Sequence, residues 1–282
     1  MKAFFLLSGI LLTSLCGYAK NTLPARTYHH HRRPVPGTYK GNKIKMVKSS
    51  IFFLPSLKVG EKHGNIFSRA ISFSGKDFKA AAKRVSGTCI YTVNDNNPIK
   101  PVFDTYYNYD GAVEGNSKIM VMDNGSKNGA PDSKETYNNT DGSGLLFNSL
   151  IWGNPPKQLQ EGTQWTINMD IPWELGGIGR QTVTVLEIDE AHHTIRLERE
   201  GTSQGFFDHD LKELEIVNNG KNLKVQITPG AAHWKGHTTF KNGLVISDEL
   251  LVSRPVTLTA ENQRFDGEER EYILLNEMPS MK

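Results

Sequence analysis

DIPWELGGIGRQTVTVLEIDEAHHTIRLEREG, residues 170–201, decides the fold class of this 282-residue chain. In QTVTVLEID and again in TIRLERE, apolar and polar residues alternate with period two, the signature of half-buried strands. A polar loop, DEAHHT, joins them into a hairpin. Ahead of the pair, Gly176, Gly177 and Gly179 read as a tight corner, because glycine reaches backbone angles closed to other residues. Trp173 and Leu175 pack beneath that corner in this reading. Glu174 either points outward or accepts from the loop amides. A phosphate loop is excluded, since no Lys-Ser/Thr follows and the next element is a strand.

Outward from this stretch the same pattern continues. PVFDTYYNYDG, SKIMVMDNG, QWTINMDI, LKVQITP and GLVISDELLVSRPVTLTA all read as strands. Asn219-Gly220 and Asn242-Gly243 predict hairpins, because a type I′ turn needs positive φ at both central residues. Residues 123–144 read as a long polar surface loop. Two windows have helical spacing, GNIFSRAISFSGKDFKAAAKR (64–84) and ENQRFDGEEREYILLN (261–276). The expected fold is all-β, a predominantly antiparallel curved sheet forming a half-barrel or open barrel with short helical additions. A single β-rich domain is placed at 51–282, with its core at about 84–276.

The N-terminus reads as an address. Lys2, the apolar run 3–12 and the small-x-small exit Gly17-Tyr18-Ala19 describe a secretory signal peptide over residues 1–19. The run is shorter than the roughly 20 residues that span a membrane. Lipid modification at Cys16 is the competing expectation, with Leu15 before it where a small residue is usual. After cleavage one cysteine remains, Cys89, on a strand face with Val85, Gly87, Tyr91 and Val93. The core rather than a disulfide must therefore hold the fold.

Charge is unevenly placed. Residues 20–50 hold eight of the 33 Lys and Arg residues and no acid. Without those eight and Lys2, 24 basic residues face 30 acidic ones, a net charge of −6 for residues 51–282. The basic stretch is rich in Pro, Gly and His and reads as a disordered arm, with contact to an anionic surface as its alternative role. An exported chain with an acidic folded part is not expected to bind nucleic acid.

No motif declares an enzyme. Glu174, Asp208, His209, His233 and His237 are the candidate catalytic groups of a secreted hydrolase acting on glycan or cell-wall material. His233 and His237 share a strand face with Lys235 between them, about 13 Å apart at the rise of a strand, too far to bind one metal. No metal and no cofactor is expected. The aromatics Tyr91, Phe103, Tyr107, Trp165, Trp234 and Phe240 fall on strands. They are the candidate ligand contacts of a binding protein that holds an apolar or amphipathic small molecule or lipid on a concave sheet. A structural or adhesive surface module is the third expectation.

Over roughly residues 84–276 the chain resembles a group of exported bacterial proteins that share the motif Trp173-Glu174-Leu175-Gly176 leading into paired strands. That resemblance implies the β-rich fold and export, and it implies no activity. The order GTQW, hairpin, W-x-G-x-T-T-F-x-x-G-x-x-x-S (Trp234, Gly236, Thr238, Phe240, Ser247) is more loosely similar to periplasmic domains. Those resemble half-barrels that carry lipoproteins and lipids.

Overall fold

The computed structural model describes residues 46–97, 101–109, 113–120, 145–147, 149–169, 178–204, 213–260 and 262–278. The compact unit that carries the fold spans Lys45–Lys282. Its strands are β1 (Val47–Lys48), β2 (Lys62–Gly75), β3 (Lys79–Ala80), β4 (Lys83–Asp95), β5 (Val102–Tyr109), β6 (Val113–Met120), β7 (Gln158–Leu159) and β8 (Gln164–Met169). They continue with β9 (Ile178–Asp189), β10 (Thr194–Gln204), β11 (Glu213–Asn218), β12 (Lys221–Pro229), β13 (Ala232–Lys241), β14 (Leu244–Ala260) and β15 (Gln263–Glu277). Two helical turns of four residues complete it, α1 (Ser50–Phe53) and α2 (Ser149–Trp152).

Every described pairing is antiparallel, and the fold is all-β as expected. The chain of neighbours runs β8-β9-β10-β13-β14-β15-β2-β4-β5-β6. Long strands serve two partners in succession. β14 pairs with β13 over Leu244–Ser253 and with β12 over Val256–Thr259. β2 pairs with β4 along most of its length and reaches β3 at Ser74. A six-stranded ring therefore closes through β14, β15, β2, β3, β11 and β12. β4–β6 and β8–β10 with β13 continue from this ring as wings of the curved sheet, while β1 and β7 form a separate two-stranded ribbon.

The ring is filled, not hollow. Phe73, Phe78, Leu214, Ile216, Val225, Val256, Leu258 and Phe265 form its core. Phe78 lies across Gly75 and Gly267, where an added Cβ would stand 2.0 and 2.8 Å from its ring. Those glycines are spaces for an aromatic side chain.

Both windows with helical spacing are strands. Residues 64–84 become β2, β3 and the start of β4, and residues 261–276 become β15. In β15, Phe265, Glu271, Ile273 and Leu275 are buried at strand parity. In β2 the buried aromatics Phe67 and Phe73 share that inward parity, while Ile66 faces out at 47% exposure. Pairing along both edges outweighs local helical spacing, a tertiary override of propensity. Residues 46–50, assigned to the basic arm by charge, also belong to the fold. Val47 pairs with Leu159, Ser50 opens α1, and Phe52 two residues on is fully buried.

Both Asn-Gly turns form as the sequence dictates, with φ of 48° and 78° at Asn219-Gly220 and 52° and 82° at Asn242-Gly243. Their surroundings differ. A Cβ on Gly220 would meet nothing within 4 Å, whereas on Gly243 it would lie 2.4 Å from the Pro55 backbone. Gly220→Ala should cost about 1–2 kcal/mol of left-handed strain. Gly243→Ala should exceed it by at least about 1 kcal/mol, because the turn must also push away the chain that follows α1. Chemical denaturation of the two variants measures the gap. Equal losses would show that the contact with Pro55 contributes nothing.

Candidate functional site

Strand parity sends one face of the wing inward. Trp165 and Ile167 of β8, Val183 and Val185 of β9, and Ile195 and Leu197 of β10 are all buried there. So are Trp234 and Phe240 of β13 and Leu250 and Val252 of β14. The chain itself covers this face. Phe52 and Phe53 of α1, with Ile151 and Trp152 of α2, complete the same apolar cluster. Phe240 is edge-on to both Phe53 and Trp152, at 5.3 Å between ring centres in each case. A neighbouring cluster gathers Tyr91, Phe103, Cys89 and Val93 under Leu57, Leu145 and Leu146.

Polar groups hold this plug at a few defined points. Trp165 Nε1 donates to the Trp152 carbonyl at 2.6 Å, and Gln181 Nε2 donates to the Ile151 carbonyl at 2.7 Å. Those carbonyls lie at the C-terminal end of a helical turn, where acceptors lack intrahelical donors. Gln181 Oε1 in turn accepts from Trp234 Nε1 at 2.9 Å, so this fully buried amide is satisfied at both ends. Below the plug a buried Arg199 donates from Nη2 to Asp248 Oδ2 at 2.6 Å. Thr238 Oγ1 donates to the other Asp248 oxygen. The Arg199 guanidinium carbon lies 5.1 Å from the centre of the Trp152 ring, within cation–π range. Elsewhere in the sheet, Arg69 meets Glu271, and Arg254 meets Glu269 at 3.1 Å.

Five of the six aromatics singled out as ligand contacts are thus inward-facing core residues: Tyr91, Phe103, Trp165, Trp234 and Phe240, all at most 8% exposed. Tyr107 lies on β5 opposite Cys89, and its side chain is outside the described residues. Glu174, Asp208 and His209 also lie outside them, as does the corner at Gly176 and Gly177.

His233 and His237 sit on the outward face of β13 with Lys235 between them, as their spacing predicts. There a groove of about 650 Å³ is lined by His233, Lys235, Arg180, Glu198, Glu200 and Leu251 among others. Lys235 Nζ lies 3.1 Å from Glu198 and 3.5 Å from Glu200. The Glu198 carboxylate is the main influence raising the Lys235 ammonium above its ordinary value. Such a lysine is held protonated and offers less free amine than an ordinary one, the reverse of what nucleophilic catalysis selects. His237 Nε2 lies 3.5 Å from Glu198, and His233 forms no ion pair among the described residues. The described histidines therefore converge on no common reacting centre. Among the described residues, no group of three or more His, Cys, Asp or Glu side chains could hold a metal ion.

Sequence reading missed Arg199, Asp248 and Gln181. The signal was present, because each shares parity with apolar neighbours: Arg199 with Ile195 and Leu197, Asp248 with Leu250 and Val252, Gln181 with Val183 and Val185.

No family model and no curated protein matches the chain. Among solved structures it is similar to lipovitellin, reported for its lipid–protein interactions, at 10% identity and a TM-score of 0.33. The match covers 80% of this chain and 26% of lipovitellin, so the chain spans about a quarter of that protein. The lipid interactions belong to lipovitellin, and at this score the likeness carries no argument about this chain.

Proposed function

We propose that the chain is an exported envelope or secreted binding protein whose inward sheet face takes an apolar or amphipathic ligand in exchange for its own plug. One observation carries this reading. Trp165, Trp234 and Phe240 converge on one apolar face, and two four-residue helical turns with the two-stranded β1–β7 ribbon cover it in place of a full second sheet. The magnitudes suit an exchange. Phe52, Phe53, Ile151 and Trp152 each gain about 1.5–3 kcal/mol on burial, roughly 6–12 in all. A long acyl chain gains about 0.8 kcal/mol per buried CH₂, so some sixteen carbons offer on the order of 10 kcal/mol. The two hydrogen bonds to α2 add only about 1 kcal/mol each. Ligand and plug are therefore close competitors for the same face.

The test is titration with palmitate, followed through the fluorescence of Trp152, Trp165 and Trp234, all of which lie at that face. Saturable binding with a spectral shift is expected, together with retained lipid in native mass spectra of protein purified from its host. Repeatedly clean spectra and no saturable change would overturn the reading.

A further inference from the structure

Arg199 is the anomaly of the interior. It is fully buried on β10, paired in register with Val183 on one side and Gly236 on the other. An arginine in such surroundings needs its five donors engaged. Asp248 takes Nη2, and Trp152 covers the guanidinium face. Nε and Nη1 have no hydrogen-bond partner among the described residues. A pair serving only to pin the plug would leave no N–H idle, since unmatched buried donors weaken the closed state they belong to.

Resting on the exchange of plug for ligand proposed above, we infer that Arg199 anchors the oxygen-bearing head of an acyl chain, either a fatty acid or an acyl ester. Three features support it. Departure of α2 removes Trp152 from the guanidinium, so the group becomes reachable from the apolar compartment only in the ligand-bound state. Asp248 already balances its charge, so the idle N–H groups do not require an anion and a neutral ester carbonyl satisfies them as well as a carboxylate does. The surrounding Val183, Leu197 and Leu250 suit the chain, and they supply no competing acceptor side chain. The anchor thus distinguishes chains by their head rather than by length.

Displacement of a bound fluorescent fatty acid tests this with three probes of equal chain length: palmitate, methyl palmitate and 1-chlorohexadecane. Wild-type protein should bind both oxygen-bearing probes about tenfold more tightly than the chloroalkane. The double variant Arg199→Met/Asp248→Leu, which replaces the pair with apolar side chains, should bind all three alike. Asp248→Asn retains Arg199 and should keep the preference, while circular dichroism verifies that each variant is folded. Equal binding of all three probes by the wild type, or a preference that survives the double variant, would overturn the anchor and leave the exchange standing. No binding of any probe would overturn both.

Discussion

Arg199→Met should destabilise the protein by about 3–5 kcal/mol, because it leaves the Asp248 carboxylate buried without its cation. Asp248 is 4% exposed, and the hydroxyl of Thr238 that also donates to it is a neutral donor that offsets only part of a buried charge; Asp248 has further interactions besides these. Adding Asp248→Leu should return most of the loss, since two apolar side chains of similar volume remove the desolvation cost of both ions. Urea unfolding of wild type, the two single variants and the double variant gives the coupling directly. A large positive coupling is expected. If Arg199→Met alone unfolds like wild type, Asp248 draws its stabilisation from elsewhere and the pair is not a unit. If the double variant is as weak as the worse single one, the site cannot repack. The cation–π contact with Trp152 then matters more than the charge balance.

This pair also shows how far the sequence could be read. Alternation in TIRLERE places Arg199 on the inward face with Ile195 and Leu197, and alternation in ISDELLV places Asp248 with Leu250 and Val252. Strand identity, hairpin turns and inward parity are local properties, so they were legible. Partnership is not local: Arg199 and Asp248 are 49 residues apart and meet only because β13 lies between their strands. The plug is more distant still. Phe53 and Trp152 reach the same ring of Phe240 from positions widely separated in the chain. No periodicity encodes such a meeting. Alternation places Tyr91, Phe103, Trp165, Trp234 and Phe240 on strands, and the structure buries all five, but what covers them is invisible in the sequence.

The two misread windows fail for a related reason. In NIFSRAISF, apolar residues at 66, 67, 70, 71 and 73 satisfy helical spacing as well as a strand with one apolar residue facing out. In EREYILLN, consecutive apolar residues suit either element. Glycine at 75 and 267 was the discriminating signal, since both positions are emptied for the Phe78 ring inside the six-stranded ring.

Trp152→Ala separates a plug from an ordinary core. Trp152 is 4% exposed, edge-on to Phe240 and stacked over Arg199. Removing its ring should cost about 3–5 kcal/mol by cavity formation alone. If α2 were merely core, that cost would accompany weaker binding of every apolar probe, because the face would lose its shape. If α2 competes with ligand, destabilising it penalises only the closed state, and the same free energy reappears as affinity. Each 1.4 kcal/mol is tenfold, so even a third of the lost stability should tighten palmitate binding roughly tenfold. Trp165→Phe provides the control: it keeps an aromatic ring on the sheet and removes the donor to the Trp152 carbonyl, so it should shift affinity the same way by a smaller factor. Lower stability with unchanged or weaker palmitate binding in Trp152→Ala would mean that the two helical turns belong to the core and that the wing holds no exchangeable site.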